Sequence, residues 1–258
     1  MFNKPVTPIL IGAVTLIGAF LVLNYNRYLF NTVEPSSAPI PLIDSSIPAE
    51  LETATFALGC FWAPDARFGS TLGVVRTLVG YSGGTQANPT YRSIGDHTET
   101  VQIDYDPSKI SYGELLNIFW RSHDPSHQSW YQQYKSIIFH ESEDQRALAQ
   151  ESKSMRESEL NRTIYTEIRP LDRFYVAEGY HQKYRLQQDR ELMKEFESMY
   201  PDVGDFIDST TAARVNGYLS GYGDPEMLQE ELSQYGLTES GAEHLLDTFN
   251  ERKGSIYC

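Results

Sequence analysis

The chain has 258 residues, 40% hydrophobic and 22% charged, enough to bury one good core with an appendage and too few for two full domains. Its net charge of −14 excludes a basic stripe able to neutralise phosphates, so nucleic acid is not an expected partner. With only two cysteines, Cys60 and Cys258, a disulfide scaffold is excluded and a redox or nucleophilic role stays open.

Residues 6–23 are 18 uncharged positions in which only Thr7, Pro8 and Thr15 weaken the apolar run. A helix over them spans roughly 27 Å at ~1.5 Å per residue, close to a bilayer core. Residues 1–30 are therefore expected to form a transmembrane helix, a single-pass membrane anchor. The alternative is a signal segment whose cleavage leaves a secreted or lumenal product; Pro39, directly after the small residues Ser36 to Ala38, is a poor start for it. Lys4 before the run and Arg27 after it leave the orientation weakly biased. Residues 31–52 combine Pro35, Pro39, Pro41 and Pro48 with Ser36, Ser37, Ser45 and Ser46, the composition of an extended, poorly packed linker.

The globular part is expected over 53–188. Thr53 to Gly59 reads as a strand, and Pro64 with Asp65 as the first turn of a helix running through Phe68, so Cys60 falls at a strand-to-helix turn. Val74 to Tyr81 is a strand, followed by a long loop with Gly83, Gly84, Asn88 and Pro89. Thr98 to Tyr105 alternates, with Val101, Ile103 and Tyr105 set against Thr100, Gln102 and Asp104. Ser111 to Arg121 is an amphipathic helix in which Ser111 and Glu114 resemble a capping box. Ser136 to Phe139 is a short strand, Glu143 to Leu160 a charged helix, and Thr163 to Ile168 a third alternating strand. Strands and helices mix without strict alternation, which predicts an α+β fold. Residues 189–258 switch to helical periodicity and read as a C-terminal helical extension.

Three groups of residues carry chemistry. Cys60, in Gly59-Cys60-Phe61-Trp62, gains thiolate character if the helix dipole and unpaired backbone N–H groups face it. Phe61 and Trp62 then make an apolar slot suited to a methyl group; a small buried hydrophobe between aromatics is the plainer reading of the same cysteine. A thiolate that attacks sulfoxide sulfur needs an acid to protonate the oxygen, and Glu99, at the head of an alternating strand, fits a desolvated carboxyl with a raised pKa. A solvated strand-edge glutamate is the alternative. Tyrosine hydroxyls can hold the sulfoxide oxygen, but 17 tyrosines make any single one ambiguous.

In order along the chain stand Gly-Cys-Phe-Trp at 59–62, Gly-Tyr-Ser-Gly-Gly at 80–84, Asn-Pro-Thr-Tyr at 88–91, His-Thr-Glu at 97–99 and Tyr-Asp-Pro at 105–107. His-Asp-Pro at 123–125, Gln-Tyr-Lys-Ser at 133–136 and Ala-Glu-Gly-Tyr-His-Gln-Lys-Tyr at 177–184 complete the series. Over residues 54–188 this pattern resembles the A-type peptide methionine sulfoxide reductases. The resemblance implies a mixed-sheet, two-layer α/β sandwich with the cysteine at a helix N-terminus. It implies Cys60 as nucleophile, Glu99 as proton donor, Phe61 and Trp62 around the methyl, and Tyr91 and Tyr134 on the oxygen. It also implies selectivity for the S epimer, a sulfenic acid at Cys60, and repair of oxidised proteins or peptides under oxidative stress without metal or cofactor. Departures are Ala63 where the family usually has Gly, Asp65 where it has Glu, and shortened stretches between Tyr91 and Glu99 and between Asp124 and Tyr134. In the second of these, Ser129 lies nearest to an aspartate that family members use near the substrate.

Returning the sulfenic acid to a thiol needs an external thiol reductant, thioredoxin or similar, with Cys258 as the internal candidate for a resolving cysteine. Two other readings compete. A cysteine hydrolase would need a base such as His97, His123, His127 or His181, yet no ordered Cys and His pattern is present. A membrane-tethered, non-catalytic binding protein on the same scaffold would have no reason to keep both Cys60 and Glu99.

Overall fold

The alternating segments join into one six-stranded sheet in a computed structural model that describes residues 40–253. The apolar run expected as a membrane anchor and Cys258 lie outside the described residues. In chain order the strands are β1 (Glu52–Leu58), β2 (Val74–Ser82), β3 (Thr98–Tyr105), β4 (Ser136–His140), β5 (Glu167–Pro170) and β6 (Phe174–Val176). They lie side by side as β5-β4-β1-β3-β2-β6, and only the β4–β5 pair is parallel. Phe56 of β1 sits opposite Val101 of β3 and Ile138 of β4, so the strand that leads to Cys60 is held from both sides.

Helices α1 (Trp62–Gly69), α2 (Tyr112–Arg121) and α3 (Glu143–Leu160) follow β1, β3 and β4. Ser111 caps α2 through the reciprocal hydrogen bonds of a capping box with Glu114, which fixes where the helix starts. Its stripe of Leu115, Leu116, Phe119 and Trp120 is buried with Phe56, Val101 and Ile103 in the main core.

Two segments differ from their sequence reading. Thr163 to Ile168 pairs only from Glu167 onward, because Ile164 turns into the core and the Tyr165 N–H is taken by the Pro125 carbonyl. β6, three residues long, is too short to show alternation, yet it adds an edge strand along β2.

Residues after Lys183 form α4 (Tyr184–Gln187), α5 (Arg190–Met199), α6 (Val203–Asp208), α7 (Thr210–Tyr218), α8 (Pro225–Glu231) and α9 (Glu239–Arg252). Leu192, Phe196, Val215, Leu228, Leu245 and Phe249 make a second core. All nine residues of α7 are buried, and α7 lies directly against α1. A Cβ at Gly217 would stand 2.5 Å from the Ala66 carbonyl oxygen, so glycine there sets the closeness of the two helices. Arg214 of α7 donates to the Gly69 and Val74 carbonyls and pairs with Glu231. The C-terminal helices are thus built into the scaffold of the Cys60 helix rather than appended to it.

The proline-rich segment also departs from its composition. Pro41 is buried, Ile43 packs on the second core, and the Asp44 carboxylate accepts hydrogen bonds from Tyr200, Ser209 and Thr211. Proline content predicts weak helix and strand propensity and says nothing of tertiary anchors. Asp44→Ala is expected to lower unfolding free energy by about 1–3 kcal/mol, by stranding buried hydroxyls without an acceptor, as read from urea midpoints. No helix among the described residues is long and apolar enough to cross a membrane.

Candidate active site

Where β1 ends, Gly59 turns the chain with φ of +97°, a left-handed geometry that an L side chain resists. Cys60 is thereby left exposed between the sheet and the first turn of α1. The N–H of Phe61, one of the unpaired donors at this helix end, is taken by the Glu99 carboxyl at 3.0 Å (Oε2). Gln133 Nε2 donates to the other oxygen, Oε1, at 2.6 Å. Glu99 is only 2% exposed. Burial pushes its pKa above the ordinary glutamate value, and the hydrogen bonds from Phe61 and Gln133 oppose this without cancelling it. The carboxyl beside Cys60 is therefore poised to hold a proton.

Tyr134 and Tyr91 lie close enough for their hydroxyls to interact. Its hydroxyl pKa is pushed up to about 12, first by desolvation and then by the nearby Glu99, Tyr91 and Cys60. Both rings are more than a third exposed, and Tyr134 stays a protonated donor at neutral pH. The Tyr91 N–H donates to Glu178 Oε1 at 3.0 Å, and the Tyr81 hydroxyl donates to Glu178 Oε2 at 2.8 Å, which ties the Tyr91 loop to β2.

Trp62 stacks on Tyr184 with ring centroids 3.7 Å apart and planes 6° from parallel. Phe61 is 1% exposed and lies behind the cleft, packed on Tyr81 and His181, so it supports the slot more than it lines it. The His181 ring is buried among Phe61, Trp62 and Tyr91, and burial lowers its pKa, which keeps it neutral.

The structure thus brings Cys60, Glu99, Tyr91, Tyr134 and Trp62 to one cleft with Phe61 behind them, while Cys258 lies outside the described residues. Ser129, nearest in sequence to the family's aspartate, bonds to the Tyr131 carbonyl in an exposed loop. Gln133, Glu178 and Tyr184 belong to this site and were given no role by sequence reasoning, and His181, weighed there only as a hydrolase base, packs against the site's aromatic rings instead. Three of them lie in the motif at 177–184 and Gln133 opens another, but uncharged or common side chains carry no chemical signal until their neighbours are known.

His97, His123 and His181 do not build a hydrolase base. His97 accepts from the Gly84 N–H and bonds to the Gln86 carbonyl, and His123 bridges Phe119 and Ser136, so both are fastened in loops. His181 has no carboxylate bonded to either ring nitrogen. Among the described residues no three His, Cys, Asp or Glu side chains are grouped to hold a metal.

Comparison with known proteins agrees with this geometry. The family model described as peptide methionine sulfoxide reductase matches residues 52–212. A peptide methionine sulfoxide reductase of Drosophila melanogaster is 41% identical over 209 residues, 80% of this chain and 84% of that protein. Peptide methionine sulfoxide reductase A5 of Arabidopsis thaliana is 43% identical over 175 residues, covering 65% and 68% of the two chains. The solved structure of methionine sulfoxide reductase A of Corynebacterium diphtheriae superposes with a TM-score of 0.50 at 29% identity, covering 61% of this chain and 84% of that one. With the fold, the ordered motifs and the thiol–carboxyl cleft in agreement, the chain belongs to the A-type peptide methionine sulfoxide reductase family.

Proposed function

We propose that this protein reduces the S epimer of methionine sulfoxide in oxidised proteins or peptides, with Cys60 as nucleophile and Glu99 as acid. The observation that carries this reading is an exposed cysteine at the start of α1 whose neighbouring backbone N–H is held by a buried carboxyl of raised pKa. Trp62, stacked on Tyr184 with Phe61 behind, receives the methyl group, and Tyr91 and Tyr134 donate to the sulfoxide oxygen. The Cys60 thiolate attacks sulfur while Glu99 delivers its proton to the oxygen. The oxygen then passes to Cys60 as a sulfenic acid, oxidising the cysteine by two electrons and releasing methionine, reduced by two.

A second thiol attacks the sulfenic sulfur, forms a disulfide and releases water. In our reading Cys258 supplies that thiol and a thioredoxin-like protein reduces the resulting bridge. Mass mapping of the oxidised protein tests this: a Cys60–Cys258 peptide is expected, and only mixed disulfides with added thiol would remove Cys258 from the cycle. We also assign residues 1–30 as a single-pass membrane anchor, which resistance to carbonate extraction tests.

The activity itself is tested by turnover of separate S and R epimers of peptide methionine sulfoxide with dithiothreitol by the full chain. Turnover of the S epimer alone, abolished in Cys60→Ser, is the expected result. Absence of turnover by the folded protein would instead favour a binding role. A shortened chain for this assay must begin before Pro41, since Ile43 and Asp44 are anchored in the second core.

A further inference from the structure

The Glu99 carboxyl is gripped from two sides. Oε2 accepts the Phe61 N–H at 3.0 Å, a donor fixed by the backbone at the start of α1, and Oε1 accepts Gln133 Nε2 at 2.6 Å. A carboxyl offers about four lone-pair sites, so one donor on each oxygen still leaves room for the proton it delivers. Once the proton has gone to the sulfoxide oxygen, a carboxylate is left at a position only 2% exposed. A buried anion is costly unless donors meet it, and two N–H groups are already aimed at this one.

Gln133 lies in the short helical turn Gln132–Tyr134. Its neighbour Gln132 fastens that turn to β3: the Gln132 carbonyl accepts the Thr98 hydroxyl at 2.8 Å, and Gln132 Nε2 donates to Thr98 Oγ1 at 3.1 Å. The Tyr134 N–H closes the turn on the Tyr131 carbonyl at 3.0 Å. Thr98 thus meets Gln132 while Glu99 meets Gln133, two rungs side by side, of which the first ties the turn down and the second reaches the acid. Tyr134, the next residue, is near enough to Glu99 and Cys60 for both to raise its pKa. One turn therefore carries, on consecutive residues, a donor for the carboxyl and a donor for the sulfoxide oxygen.

We propose that Gln133 is a positioning residue for the acid step: its amide N–H steadies the carboxylate that Glu99 becomes as its proton passes to the sulfoxide oxygen, and so sets how readily that proton leaves. The bond strengthens as negative charge grows on Oε1, so it favours the transition state over the protonated ground state. Electrostatics point the same way, since burial raises the Glu99 pKa and the Gln133 hydrogen bond pulls it back. The proposal rests on the reductase reading, and its test separates the two.

Gln133→Met removes the donor at nearly constant length and at a position that is not fully buried. Single-turnover rates of the full chain with an (S)-methionine sulfoxide peptide are followed against pH. The variant is expected to show a plateau about three- to tenfold lower and a falling limb displaced upward by about one pH unit, because an acid that loses a donor holds its proton more tightly. Above the limb it then runs at least as fast as the parent. Gln132→Leu, which cuts the other rung, is expected to leave the limb in place. A limb that stays put in Gln133→Met, or moves equally in Gln132→Leu, would overturn the proposal, since slackening of the turn slows the reaction alike at every pH. Infrared titration of the Glu99 carbonyl stretch, assigned by its absence in Glu99→Gln, reads the same displacement without turnover. No turnover of the peptide by the parent would overturn the reductase reading instead, and the infrared titration would still show whether Gln133 sets the acid.

Discussion

Glu99→Gln is expected to slow the sulfur-reduction step by about 10²–10⁴-fold, the usual worth of a positioned general acid. The amide is close to isosteric and can keep the hydrogen bond from the Phe61 N–H, so the fold and the mouth of the cleft should persist. The pH dependence discriminates further. Desolvation raises the Glu99 pKa, so its carboxyl stays protonated at pH values where an ordinary glutamate has ionised. The single-turnover rate is therefore expected to fall as pH rises through that pKa, and Glu99→Gln is expected to lack this limb. A Gln variant that is slow but follows the parent's pH profile would show that some other group delivers the proton.

The same carboxyl has a signature in stability. A group whose native pKa is raised contributes most below its unfolded pKa, and that contribution is lost as pH rises through the native value. Above its raised native pKa Glu99 ionises in a desolvated site and weakens the native state, whereas Gln there is neutral at every pH. Glu99→Gln is thus expected to melt at nearly the same Tm as the parent at pH 4 and to gain on the parent as pH rises through that native pKa. Loss of activity with gain of stability is the mark of a side chain kept for chemistry, and a purely structural glutamate would show the reverse.

Much of this site was legible in particular residues. Glu99 has the same parity along β3 as Val101, Ile103 and Tyr105, but Thr98 and Thr100 of the other face are equally enclosed, so the alternation predicts the strand and not by itself the burial of this carboxyl. The strand-to-helix turn at Cys60 was readable because a Pro sits early in the following helix and a Gly precedes the cysteine. Helix α7 was harder. Thr210 to Tyr218 includes Thr, Arg, Asn and Gly and shows no apolar stripe, because it is enclosed on all sides and chosen for small size against α1. Docking of Asp44 and the Tyr184 stack on Trp62 are long-range pairings, and local periodicity contains nothing about the partner.

The ion pair of Asp65 and Lys183 is the extreme case of such a pairing. Both side chains are 0% exposed and the residues are 118 positions apart in the chain. Asp65 accepts from the Thr77 hydroxyl at 2.5 Å, the Lys183 N–H at 3.0 Å and Asn216 Nδ2 at 3.2 Å, with the Lys183 ammonium at 3.4 Å. One carboxylate thus joins α1, β2, the segment that ends in the catalytic motif, and α7. Asp65→Ala is expected to destabilise the protein by about 3–5 kcal/mol, since it leaves an ammonium buried without its counter-charge. If the unpaired charge is the main penalty, Asp65→Ala with Lys183→Met should be closer to the parent than Asp65→Ala alone. A double-mutant cycle in urea reads this coupling directly. Asp65→Glu would restore the residue usual in the family, but an added methylene at a fully enclosed position is expected to cost about 1–3 kcal/mol here. A loss below about 1 kcal/mol for Asp65→Ala would place the pair among weak surface-like contacts and leave the packing of Gly217 on Ala66 as what joins α1 to α7. The larger loss would mean that the C-terminal helices hold Cys60 in place through a charge three residues into the helix that presents it.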